Sequence, residues 1–222
     1  PHFFVGNPLN KTPRQICTLN SHYDVIDLTD IPDDYLPRSN YVPDCEPTEY
    51  HRRTHKVSWG DKNPVTDFYR FVARRQLSQS GERTFIGAIT PKGSAHVHPV
   101  ISTTFKNSEQ LIKFTGLSSS IVYDFYIKTT GKSDLYESIL RLLPLPETDR
   151  NLTIRTLSLN CLTTYYAELW QDCWQPEFAQ TQWSKPDPRL PNTFWSHLTP
   201  TWQRNCALRS DYSRRQALVE ID

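Results

Sequence analysis

Two prolines bracket a single residue at Leu143-Pro144-Leu145-Pro146, and this spacing limits the fold more than any other feature of the chain. Proline fixes φ, lacks the backbone N–H and pushes the residue before it out of the helical region. Neither an α-helix nor a central strand runs through both positions. The 222 residues therefore divide into 1–146 and 147–222. A length of this order holds one large domain or two small ones, and it can bury a core without staples. The first part mixes strand and helix signals, and the second is helical. The predicted class is α+β: a mixed α/β part with an antiparallel sheet, followed by a helical C-terminal segment.

The first 50 residues are rich in proline and turn formers, with a short strand expected at 23–28, "YDVIDL". Residues 63–77, "NPVTDFYRFVARRQL", predict a helix. Asn63 is the cap, Pro64 the first helical residue, and Val65, Phe68, Phe71 and Val72 the apolar stripe. Arg70, Arg74 and Arg75 then fall near its C-terminal end, where cations suit the helix dipole. "RTFIGAITPKG" predicts a strand closed by a Pro-Lys-Gly turn, and "AHVHPVISTTF" its antiparallel partner. "LIKFTGL" reads as a third strand. Residues 118–131 read as a helix capped by serine, buried through Ile121, Val122 and Phe125, and stopped at Gly131. Beyond the proline break a long helix is expected over 152–170. A Trp- and Pro-rich stretch and a final helix from Cys206 follow.

Five cysteines, at 17, 45, 161, 173 and 206, show neither disulfide-framework nor zinc-ligand spacing, as expected for reduced thiols in a cytoplasmic protein. No apolar stretch reaches the roughly 20 residues that span a bilayer. The chain begins at Pro1, contains no Met and stops on an apolar run, which reads as a piece of a longer polypeptide. The net charge of +1 hides an asymmetry: residues 1–50 carry −5, residues 51–141 carry +7 and residues 142–222 carry −1. A basic middle suits a localised polyanion contact, and equally an unevenly charged solvated surface.

Candidate chemistry is sparse. "GNPLN" (6–10) is reminiscent of the Asn-Pro-Pro-aromatic motif of amino-group DNA methylation, which grips a flipped base. Leu9 replaces the second proline and Asn10 the aromatic, so the stacking platform is missing and the stretch reads as a strand-to-turn connection. The Pro-Asp pairs at 32–33 and 186–187 lack the Glu-x-Lys that a metal-dependent nuclease would need. His96 and His98 stand two apart and would share one face of a strand, as a partial metal site or as surface residues. There is no nucleophile elbow and no P-loop, so no catalytic residue and no metal site is assigned. What the residues do compose is a set of cations on turns and element ends: Arg52, Arg53, Lys56, Arg74, Arg75, Arg83, Lys92, His96 and Lys106. Such groups on an apolar scaffold suit phosphate and base-edge contacts.

Two segments, "GERTFIGAITPKGSAHVHP" (81–99) and "FTGLSSSIVYDFYIKTTGKSDLYESILRLLPLP" (114–146), carry a resemblance. In order they present Arg83, Pro91 with Gly93, Ser118 to Ser120, Asp124-Phe125, and the Leu-Pro-Leu-Pro exit. This order resembles the C-terminal target recognition region of Eco57I-like adenine DNA methyltransferases of restriction-modification and phage-defence systems. The flanks at 23–45 and 199–222 are similar too, so the resemblance covers most of the chain. It implies a double-stranded DNA partner. Arg83, at the start of a strand on the resembling segment, is expected either to read a base or to pair with a neighbouring carboxylate, and Lys92 and Lys106, near strand ends, to contact phosphates. The resemblance also implies S-adenosylmethionine chemistry in a separate catalytic domain of the parent chain, with no cofactor in this part. The rival expectation is a protein-interaction module that docks a defence-system partner through Trp183, Trp195 and Trp202, since interface hot spots favour tryptophan.

Overall fold

The computed structural model describes residues 2–3 and 11–222. In chain order its elements are β1 (His2–Phe3), β2 (Lys11–Pro13), β3 (Tyr23–Val25), α1 (Pro47–Arg53), β4 (Arg70–Arg74), β5 (Gly87–Thr90), β6 (Ala95–His96), β7 (Val100–Thr104), α2 (Ser108–Ser118), α3 (Ile121–Thr129), α4 (Glu137–Leu140), α5 (Arg150–Asn160), α6 (Ala167–Asp172) and α7 (Asp211–Val219), with short 3-10 turns between them. The fold is α+β. The main sheet is antiparallel in the order β5-β4-β7, β2 pairs antiparallel with β3, and β1 runs parallel to β6. The Asn7-Pro8 stretch lies outside the described residues.

The expected helix over 63–77 is instead the centre of the sheet. Pro64 leads into one 3-10 turn, Val65–Asp67, and the chain then extends into β4. Arg70, Phe71, Val72 and Ala73 are all buried. A strand covered on both faces loses its alternation, and its apolar run then fits helical spacing as well as strand spacing. The two faces differ. Phe71, Ala73 and Ile89 join the main core, whereas Val72, Ala88 and Val100 form a small cluster on the other side. The sequence suggests that β5 and β7 pair with each other, but they do not; each pairs with β4. The outer edge of β5 is closed by side chains. Ile89 N donates to Asn160 Oδ1 at 3.0 Å, and Tyr166 Oη donates to the Ile89 carbonyl at 2.8 Å. These bonds protect the backbone groups of an edge strand.

Several helices also depart from expectation. "LIKFTGL" belongs to α2, which Asn107 caps by accepting from Gln110 N at 2.8 Å. Its buried Leu111, Thr115 and Ser118 recur at helical spacing. α3 forms where expected, with Ser120 as cap and Gly131 in the left-handed region at φ 63°. Its buried face, however, is Tyr123, Asp124 and Ile127, and the expected core residues Ile121, Val122 and Phe125 are 59%, 69% and 66% exposed. The helix expected over 152–170 breaks after Asn160. Cys161 leaves helical geometry with ψ 63°, is fully buried, and accepts from Trp202 Nε1 at 2.8 Å. A 3-10 turn and α6 follow. The last helix begins at Asp211 behind a Ser210 cap rather than at Cys206, and the strand expected over 23–28 ends at Val25.

One hydrophobic cluster draws Phe71, Phe114 and Ile127 from before the proline break, and Ile154, Trp170 and Trp195 from after it. α2 and α5 meet at Gly116, where a Cβ would overlap Thr156 Oγ1 and the Leu152 side chain. Trp195 and Trp202 are buried in this core and Trp183 is partly buried against it. On the α5–α7 side, Arg155 and Glu220 form an ion pair with both side chains 5% exposed, and Arg155 also lies 5.3 Å from the centre of the Trp195 ring.

Candidate functional site

The cations singled out from the sequence do not form one patch. Arg52 and Arg53 end α1, and each is paired with Glu49 at 2.6 Å. Lys56 is exposed on a backbone bridge to Pro64. Lys92, in the turn after β5, is paired with Glu168 and sits 5.1 Å from the Tyr69 ring centre. Lys106 is exposed two residues beyond β7. His96 closes β6 with Nε2 2.9 Å from Ser102 Oγ, while His98 lies past the strand end against Arg75, so the two histidines do not share a strand face.

The register sorts the remainder. Arg70 stands opposite Thr90 and Thr104, which places Lys92 and Lys106 at that end of the sheet. Arg74 stands opposite Val100, and its N–H donates to Ile86 O, which places Arg74, Arg75 and the lead-in to β5 at the other end. Four residue steps along β4 separate the ends by roughly 13 Å. Arg83 lies in that lead-in, short of the first residue of β5, Gly87, rather than on the strand.

A buried carboxylate holds the lead-in. Asp124 of α3 accepts from Thr84 N at 2.8 Å and Phe85 N at 2.6 Å with the same oxygen. Lys128 Nζ reaches Gly81 O at 3.4 Å, Gln79 Nε2 donates to Lys132 O at 3.1 Å, and Leu135 N donates to Arg75 O at 2.7 Å. The segment after α3 is thus stitched to the segment after β4. It adds Lys128 and Lys132 to the end of the sheet that already carries Arg74, Arg75 and Arg83. The sequence reading missed both lysines, because only these long-range bonds bring them there. Arg75 is tied down by Asp134 at 3.7 Å and by the Tyr136 ring at 5.5 Å. Arg74 and Arg83 have no ionic partner among the described residues.

Arg83 lines a cavity of about 190 Å³ together with Asn160 and Arg214. Arg214 donates to the carbonyls of Leu159 and Leu208, and burial pushes its pKa down to about 10. Two guanidiniums on one small cavity give that corner a positive field. Among the described residues no group of three or more His, Cys, Asp or Glu side chains gathers to hold a metal. No helix among them is long and apolar enough to cross a membrane. Comparison with known proteins finds no matching family model, no matching curated protein and no matching solved structure.

Proposed function

We propose that this chain is the DNA sequence-recognition part of a larger S-adenosylmethionine-dependent adenine methyltransferase of a restriction-modification or phage-defence system, acting in the cytoplasm. One observation carries the reading. The segment bearing the family resemblance, from Arg83 to Gly93, is an edge strand and its turns, and Asp124 of the resembling Asp-Phe pair anchors it. The anchor brings Arg83 to the sheet end shared by Arg74, Lys128 and Lys132. Such a cluster on a rigid edge suits phosphate contacts, with one guanidinium free to read a base.

Chemistry belongs elsewhere in the parent under this reading. The glycines stand singly at 6, 60, 81, 87, 93, 116 and 131, so no paired-glycine turn is present to cradle a nucleotide cofactor. Under this reading the catalytic domain of the parent would hold S-adenosylmethionine. The exposed apolar side of α3, with Ile121, Val122 and Phe125, supplies a face for that domain to cover. The second reading, a protein-interaction module, draws on this same face rather than on Trp195 and Trp202, which are committed to the core.

The test is duplex binding followed by fluorescence anisotropy across a salt series. Affinity should fall linearly with the logarithm of salt, with a slope of about −0.9 per phosphate neutralised. No binding to any duplex at low salt would overturn the proposal.

A further inference from the structure

On the side of the sheet opposite the main core lies a charge the fold does not balance. Arg70 is 2% exposed, and no carboxylate comes within ion-pair distance among the described residues. A guanidinium has five N–H donors. The acceptors Arg70 reaches are the Ser94 carbonyl, through Nη2, and Ser102 Oγ, 3.4 Å from Nη1. Its Nε–H is buried without a partner, as are the hydroxyls of Thr90 and Ser94. Thr90 stands directly opposite Arg70 in the ladder, so both side chains leave the same face. Buried polar groups are ordinarily satisfied, and each exception calls for a reason. Here the exceptions are adjacent and all can donate, so what complements them is an acceptor-rich anion.

We propose that Arg70, Thr90 and Ser94 form a binding site for a phosphate group, separate from the DNA-reading end of the sheet and independent of that reading. A tetrahedral oxyanion offers acceptors in several directions, which suits a guanidinium edge on β4 and two hydroxyls carried by β5 and by the turn after it. Ser102 extends the network. His96 Nδ1 lies 3.1 Å from Val97 O and Nε2 lies 2.9 Å from Ser102 Oγ. With the proton on Nδ1, Ser102 donates to His96 and keeps a lone pair for Arg70. A cavity of about 430 Å³ adjoins the site through Gly93 and Ala95, which flank Ser94. Its wall is largely apolar, with Pro43, Pro47 and Tyr50, and the Arg70 charge acts on the Tyr50 phenol. Asp67 also lines this cavity and disfavours a second negative group there. The ligand class this selects is a phosphomonoester charged at one end with an apolar or aromatic body; inorganic phosphate is the minimal form.

Thermal melting of the 222-residue chain in phosphate, in phenyl phosphate, and in chloride of equal ionic strength tests the site. Both phosphates should raise Tm saturably and chloride should not, because a ligand bound only to the folded state stabilises it by mass action. A lower half-saturation for phenyl phosphate assigns the ligand body to the cavity; equal values assign the site to free phosphate. Thr90→Val keeps the shape of the side chain, so it should melt like the parent without ligand and need about tenfold more phosphate, the loss of one charge-assisted hydrogen bond. Arg70→Met should abolish the shift, and its ligand-free Tm should not fall, since an uncompensated buried charge has been removed. If Arg70→Met does not fold, Ser94→Ala provides the second reading of the same loss. No phosphate-dependent shift in the parent chain, or an unchanged shift in Thr90→Val and Ser94→Ala, overturns the proposal.

Discussion

Asp124→Ala removes the group that fastens α3 to the lead-in of β5. One carboxylate oxygen accepts two backbone N–H groups, those of Thr84 and Phe85, at 2.8 and 2.6 Å. Both donors belong to buried residues, and Asp124 is itself buried, so water does not replace the lost acceptor. Hydrogen bonds to charged groups contribute about 1.5–3 kcal/mol each, and an orphaned buried donor bears its full desolvation cost. The expected loss is therefore about 3–5 kcal/mol, a large share of the roughly 5–15 kcal/mol that holds a domain folded. Asp124→Asn keeps an oxygen in place and loses only the charge, so its cost should be about 1–2 kcal/mol. Urea unfolding measures both, as a shift in midpoint at constant slope. Under the proposed function, the same variants should weaken sequence selectivity more than non-specific affinity, because Arg83 loses its mount while the exposed lysines stay. A cost below about 1 kcal/mol for alanine, or asparagine as damaging as alanine, would refute the tether.

Gly116→Ala should cost about 1–3 kcal/mol by overpacking, since the added Cβ meets Thr156 and Leu152 across α2 and α5; an unchanged melting temperature would remove the close helix contact. Arg155→Ala should cost about 3–5 kcal/mol because it strands Glu220 in a buried pair, which chemical denaturation reads directly. Burial raises the Glu220 pKa, but hydrogen bonds from Gln216, Ser184 and Arg155 outweigh it and hold the group below the ordinary glutamate value. A depressed carboxylate stabilises the fold above its unfolded pKa and loses that contribution as pH falls through the folded one. The stability gap between the parent and Glu220→Gln should therefore be constant near neutrality and close in acid below about pH 4. A gap that widens in acid would contradict the assignment. Under the proposed function, Arg83→Ala in the parent enzyme should relax or abolish target choice, whereas Lys132→Ala, at the same end of the sheet, should weaken binding evenly across sequences; methylome sequencing of cells expressing each distinguishes them.

Local signals were legible where a segment's own residues close its hydrogen bonds. Ser120 and Gly131 bound α3 as their types predict, and Pro91 to Gly93 turn the chain after β5, with Gly93 at φ 72°. The cap at Asn107 is equally local, yet α2 reads as a strand because the short apolar run "LIKFTGL" fits either period. The candidate site was half legible. Arg74, Arg75 and Arg83 stand out by charge, but the pairing that ties down Arg75 and leaves Arg83 unpaired depends on Asp134 and on the Asp124 tether. The buried Arg70 read as a helix-end cation, because nothing local marks β4 as the middle strand of a sheet.

The sequence by itself determined where helix α3 starts and where the chain turns after α3 and β5, because proline, glycine and a capping serine act through bonds within a few residues. Only the tertiary structure decided which apolar faces are inside. Ile121, Val122 and Phe125 have the same hydrophobicity wherever they lie, and they face outward because Tyr123 and Ile127 turn into the core and Asp124 to the lead-in of β5. It also decided that Arg70 lies buried among donors while Arg74, four residues along the same strand, ends at the basic rim. Burial depends on what packs against a residue from far along the chain, and no local pattern carries that information.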